Sequence, residues 1–214
     1  NTQSIPEDFL IKYFDDLSDE WSFECLRELL INKDNDNAPL VAKIAGIYWE
    51  KLGIDKVINL FNETKNNYSI YLFISEVVKS SDDPDIHFRC LKETAKIGDF
   101  QEMIKICSES NHLQPEKVRD YLINQDFEDK FPLIIVCNRF GFIEELTNYL
   151  YKMGYFHELN IYIQTYNTKM AGRVIGALID LKVSDDYIMK FLKSVQETAS
   201  LDDLIFHTMK RKRI

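Results

Sequence analysis

His87 and Cys90 stand in an H-x-x-C spacing that a helix would put on one face, which is half of a zinc site. No second pair accompanies them, and Cys107 falls in a different predicted helix. A packed thiol beside a partly exposed imidazole is the better reading. Asp15-Asp16, Asp82-Asp83, Asp185-Asp186 and Asp202-Asp203 supply paired carboxylates, the raw material of acid–base catalysis. The last three flank predicted helix starts, where capping and the helix dipole account for them. Asp15-Asp16, near a predicted helix end, reads as a solvated loop face. The 4 histidines are scattered, with none beside a strained nucleophile turn, so no Ser-His-Asp or Cys-His arrangement is expected. Gly172-x-x-x-Gly176 lacks the rest of any phosphate-loop motif and suits a close helix–helix approach instead. Lys210-Arg211-Lys212-Arg213 is the one basic cluster. It reads as the cationic end of a helix rather than a nuclear-import or phosphoinositide patch. No catalytic, cofactor-binding or metal-binding residue is expected.

The elements that would carry these residues are marked by a repeated phrase. Gly98-Asp99-Phe100-Gln101-Glu102-Met103, Gly141-Phe142-Ile143-Glu144-Glu145-Leu146 and Gly154-Tyr155-Phe156-His157-Glu158-Leu159 share Gly, any residue, apolar, any residue, Glu, apolar. Glycine suits the left-handed backbone that ends one helix, and Glu suits the first turn of the next. Gly53 opens a looser copy, with Val57 in place of Glu. Gly98, Glu102, Gly141, Glu145, Gly154 and Glu158 are therefore the expected structural corner residues. Apolar spacing is helical almost throughout, as at Phe100, Met103, Ile104 and Cys107. Helices are predicted over 6–17, 19–32, 38–52, 54–66, 68–80, 84–97, 99–110, 115–125, 131–140, 142–153, 155–166, 168–182, 185–197 and 201–213. Pro84 and Pro115 take first-turn positions, and Ser200-Leu201-Asp202-Asp203 resembles a capping box. Leu133 to Val136 has strand propensity, yet it lies between Pro132 and Gly141 and reads as a helix apolar on all sides. Repeated helix-stop, helix-start punctuation predicts stacked helical hairpins, an α-solenoid.

Nothing in the composition divides the chain; the nearest candidate, Asn32 to Asn37, is only loop-sized. One continuous solenoid over 1–214 is expected, with approximate sub-blocks 1–80 and 81–214. Hairpins of that spacing would build a rod roughly 70 Å long. With 26 basic and 35 acidic residues the net charge is −9, a field that attracts neither nucleic acid nor anionic lipid. The 4 cysteines lie at wide spacings in apolar stretches and read as buried, reduced thiols. The longest apolar run, Leu133 to Cys137, is much too short to span a bilayer. The chain starts without Met and stops inside a helical run, so it reads as a segment of something longer. Tyr151, Tyr155, Tyr162 and Tyr166 are expected to divide between core and contact surface.

Several phrases together carry a family resemblance. Asp82-Asp83-Pro84-Asp85-Ile86-His87-Phe88 resembles the D-P-D-x-H-F start of a clathrin heavy-chain repeat. Ile106-Cys107-Ser108-Glu109-Ser110-Asn111, then Pro115-Glu116-Lys117-Val118, is similar to that family's I-C-x-E-S-N and P-E-x-V. Pro132 to Phe140, continuing through Phe142 to Tyr149-Leu150-Tyr151, resembles P-L-I-I-V-C-D-R-F-D-F and Y-L-Y. Ile5 to Phe14 and Val174 to Asp180 extend the likeness towards both ends. Gly141 stands where the family usually has Asp, and 32–37 and 187–199 match poorly. The resemblance implies an all-α, right-handed α-solenoid of stacked antiparallel hairpins, a superhelix like that of tetratricopeptide repeats. It implies a non-enzymatic coat component: a distal-leg segment giving rod length and leg–leg contacts in the lattice of coated pits and vesicles. Its partners would be other heavy-chain legs, on the cytoplasmic face of coated membranes. Light chain and adaptors would bind outside this segment, with no nucleic acid and no membrane insertion. The alternative is a protein-binding adaptor of tetratricopeptide or vacuolar-sorting tether type, for which a concave groove lined with Asn, Lys or Arg would speak.

Overall fold

The computed structural model describes residues 7–31, 37–63, 67–195 and 206. The predicted capping box at 200–203, the last helix (201–213) and the basic run Lys210 to Arg213 lie outside them or nearly so, as does most of the 32–37 loop. Every regular element among the described residues is helical. In chain order these are α1 (Glu7–Asp15), α2 (Asp19–Ile31), α3 (Ala38–Ile47), α4 (Trp49–Leu52), α5 (Ile54–Glu63), α6 (Asn67–Val77) and α7 (Pro84–Ile97). There follow α8 (Phe100–Glu109), α9 (Pro115–Gln125), α10 (Phe131–Phe140), α11 (Ile143–Lys152), α12 (Phe156–Ile161), α13 (Ala171–Asp180) and α14 (Asp185–Val195).

Three predicted helices are interrupted, two of them where a tyrosine is bound across the packing. The 38–52 helix breaks at Tyr48, whose hydroxyl donates to Ile11 O (2.7 Å) and Asp15 Oδ1 (2.7 Å) while its ring stacks on Phe14. The 155–166 helix ends in a π-turn over Tyr162–Tyr166, closed by Asn167 N–H on Tyr162 O (2.8 Å). Tyr162 is fully buried there and donates to Asn138 Oδ1 (3.0 Å). The 168–182 helix opens with a 3-10 turn at Thr168–Met170. Leu133 to Val136 is helical: Pro132 to Cys137 are all buried, so tertiary burial overrides β propensity.

The chain forms two compact units, residues 1–106 with 110–113, and residues 107–109 with 114–214. The approximate sub-block boundary at 80 falls inside the first of these. In that unit α3 packs on α6, and α6 on α5 and α7. Phe14, Leu26, Leu30, Val41, Ile44, Phe61, Phe73 and Ile74 fill its core. In the second unit α10 packs on α9 and α11, and α11 on both α12 and α13. Its buried residues include Leu122, Val136, Ile143, Leu146, Leu150, Leu159, Ile163, Val174 and Leu178. Within each unit the helices pack on near neighbours in the chain, one to three elements away, as the helices of an α-solenoid do. Gly172 and Gly176 are both buried on α13.

Candidate functional site

The candidate site is the set of helix–helix corners. Gly98, Gly141 and Gly154 adopt φ of 74°, 80° and 79°, the left-handed region in which a Cβ is strained. No atom crowds the position a Cβ would take at any of them, so backbone conformation alone calls for glycine. The next residue closes each helix end: Asp99 N–H on Thr94 O, Phe142 N–H on Cys137 O (2.8 Å) and Tyr155 N–H on Leu150 O (2.8 Å). The looser copy differs as its sequence does, since Gly53 has φ 79° but ψ 123°.

The corner acids act less uniformly. At the first corner Asp99 is the cap, accepting from Glu102 N–H (3.0 Å), while the Glu102 carboxylate faces Lys105 (3.6 Å). At the second, Glu145 faces Arg119 at 3.9 Å. Arg119 also pairs with Asp120 and lies 4.6 Å over the Phe142 ring. The firmer tie is one residue earlier: Arg173 of α13 holds both oxygens of Glu144 and donates to Gly141 O (3.1 Å). At the third corner Glu158 is half-buried in the first turn, and the tie is made by Tyr155. Tyr155 and Tyr149 both donate to Asp126, which itself has φ 47° at the end of α9. Lys130 donates to the same carboxylate (2.7 Å) and lies 4.3 Å from the Tyr155 ring. The Lys130 ammonium, then the Tyr149 hydroxyl, hold the Asp126 carboxyl down at about 2. Burial, reinforced by Asp126, pushes the Tyr149 phenol well above its ordinary value.

A family model described as "Region in Clathrin and VPS" matches residues 47–186. The chain belongs to the clathrin repeat family. Clathrin heavy chain of Dictyostelium discoideum is 36% identical over 210 residues, covering 98% of this chain and 12% of that relative. Clathrin heavy chain 1 of Oryza sativa subsp. japonica is 35% identical over 214 residues, 100% of this chain and 12% of the relative. Clathrin heavy chain 2 of Homo sapiens is 34% identical over 214 residues, 100% of this chain and 13% of the relative. The chain therefore spans about 12% of the length of the relatives it matches.

The clathrin-like phrases land on joints. In the D-P-D-x-H-F phrase Asp83 caps α7 through Asp85 N–H (2.9 Å) and Pro84 opens it. His87 is buried; its Nε2 donates to Ser81 O (2.7 Å) and its Nδ1 meets the Ser110 hydroxyl (3.0 Å). The His112 ring lies 5.0 Å away and pairs with Asp82. Cys90 faces Ser75 instead, so the H-x-x-C pair does not converge. Among the described residues no group of three or more His, Cys, Asp or Glu could hold a metal ion. Burial pushes the Cys90 thiol up to about 11 and those of Cys107 and Cys137 up to about 12, leaving them protonated and inert. In the Pro132 to Phe140 phrase Asn138 receives Tyr162 and Asn167, and Arg139 donates to Cys107 O (3.1 Å) at the end of α8. Of the four tyrosines, Tyr162 is core, Tyr151 and Tyr155 are half-buried, and Tyr166 is exposed beside Phe131. The residues sequence reasoning missed are Asp126, Lys130, Tyr149, Glu144 and Arg173. Their partners lie 23–32 residues away in sequence in most cases, and no local pattern announces them.

Proposed function

We propose that this chain is a structural, non-enzymatic leg segment of a clathrin coat. It supplies rod length and weak lateral contacts between heavy-chain legs in the lattice of coated pits and vesicles, serving endocytosis and intracellular vesicle transport. Similarity to clathrin heavy chains over essentially the whole of this chain is the observation that carries this reading. The partners are other heavy-chain legs at the cytoplasmic face of the coated membrane, and light chain and adaptors bind elsewhere on the whole protein. Among the described residues no helix is long and apolar enough to cross a membrane, which fits attachment through partners. The whole chain acts as one continuous solenoid in which Gly98, Glu102, Gly141, Glu145, Gly154 and Glu158 set hairpin geometry, with Arg173 and Asp126 holding two of the corners. Weak contacts suit a coat that must come apart, because many together supply the strength that one lacks.

An adaptor reading finds less support. The cleft of about 680 Å3 between α2, α4 and α5 does present Arg27, Lys56 and Asn59. Asp19, Glu20, Glu24 and Glu63 share it, so it offers a peptide no single sign of charge. Small-angle scattering combined with sedimentation decides between the two. An elongated particle with weak, concentration-dependent association supports the coat reading. A compact particle whose behaviour changes on binding a peptide overturns it.

A further inference from the structure

Large exposed apolar side chains on a surface are ordinary when single and informative when they touch. Ile47 and Met189 are exposed at separate places along the chain, Tyr68 touches the single ring of Tyr71, Tyr166 meets Phe131, and Tyr13 and Trp21 line a groove that Glu24 and Glu28 share. One cluster differs. Tyr151 at the end of α11, Phe156 at the start of α12 and Tyr187 in the first turn of α14 bring three rings together, with all centroid pairs 5.4–5.5 Å apart. Phe156 keeps 41% of its surface exposed, and Met153, between Tyr151 and Phe156 in the chain, keeps 52%. The cluster is dry as well as apolar: the Tyr187 hydroxyl is shielded with no hydrogen-bond partner, and burial raises its pKa.

We infer that the Tyr151–Phe156–Tyr187 cluster with Met153 is a lateral contact surface for a second copy of this chain. The inference rests on the coat reading and names the surface that reading leaves open. The charges around the rings select that occupant against the general repulsion between copies. A chain of net charge −9 repels its own copies over most of its surface. This patch, however, is flanked in sequence by exposed Lys152 on one side and exposed Asp185 and Asp186 on the other, so two copies can pair opposite charges across the rings. The exposed apolar area is on the order of 200–300 Å², far below the roughly 800 Å² per partner of a stable dimer. It suits a contact that holds only as one among many.

The test is assembly of the full-length heavy chain carrying Phe156→Lys or Met153→Glu, followed by light scattering and sedimentation. Each variant is expected to raise the critical concentration at least about fivefold, with Tyr68→Lys, an exposed aromatic elsewhere, leaving it unchanged. Thermal unfolding checks the fold; should Phe156→Lys fail to fold, Met153→Glu, which alters a side chain already half in solvent, decides. Assembly at the wild-type concentration by Met153→Glu overturns the inference and leaves the coat reading intact. So does an equal loss in Tyr68→Lys, or normal assembly accompanied by lost binding of some other protein. Failure of the unaltered heavy chain to assemble overturns the coat reading instead.

Discussion

Asp126 shows how much a single side chain carries at a joint. Its left-handed backbone ends α9, and its carboxylate gathers Lys130, Tyr149 and Tyr155 from three further places in the chain. Because folding lowers its pKa, the stabilisation is complete above the ordinary carboxylate range near 3.9 and is lost as pH falls through about 2. An NMR titration of the Asp126 carboxyl carbon is expected to show a midpoint near 2, moving upward in Tyr149→Phe. A midpoint near 3.9 in the unaltered chain would show that the three donors do not reach it. Nothing in Asn124-Gln125-Asp126-Phe127 hints at this role, since the donors are brought in by folding. Arg173 is as silent in sequence, although it fixes both Glu144 and the carbonyl of Gly141.

At the scale of elements, the helices over 84–97, 115–125 and 131–140 stand where apolar spacing, first-turn prolines and glycine stops put them. Those signals are local, so they can be read locally. Two glycines separate local from tertiary causes. Gly98 has room for a side chain but a backbone that disfavours one. Gly46 is helical, yet a Cβ there would collide with Glu76 Cβ and lie 2.7 Å from its Cγ, because α3 and α6 pack closely at that point. Gly98→Ala is expected to cost about 1 kcal/mol through backbone strain. Gly46→Ala should cost about 1–2 kcal/mol net, although alanine favours a helix by roughly 1 kcal/mol. Urea unfolding of both variants measures this; a stabilised Gly46→Ala would show that α3 and α6 separate at little cost.

Where neighbouring helices cover one another within each unit, stability is a sum of local terms rather than a property of one core. Leu146 of α11 is fully buried in the second compact unit. Leu146→Ala is expected to cost about 2–5 kcal/mol where it acts. Hydrogen exchange should then quicken across α10, α11 and α13 while α3 and α6 of the first unit keep their protection. Equal quickening in both units would mean that the chain unfolds as one block and does not behave as a repeat array.

By itself the sequence determined that the chain is helical, where most helices start and stop, and which family it belongs to. Those properties reside in glycine conformation, capping, apolar spacing and phrases such as Pro132 to Phe140, all written over short spans. Tertiary structure alone decided which acid at a corner is bound, Glu144 to Arg173 more firmly than Glu145 to Arg119, and which tyrosine is core, Tyr162 rather than Tyr166. It also joined Tyr151, Phe156 and Tyr187 into one patch. These depend on the angle and distance at which one helix meets another, and that geometry is fixed by packing between residues some 30 positions apart.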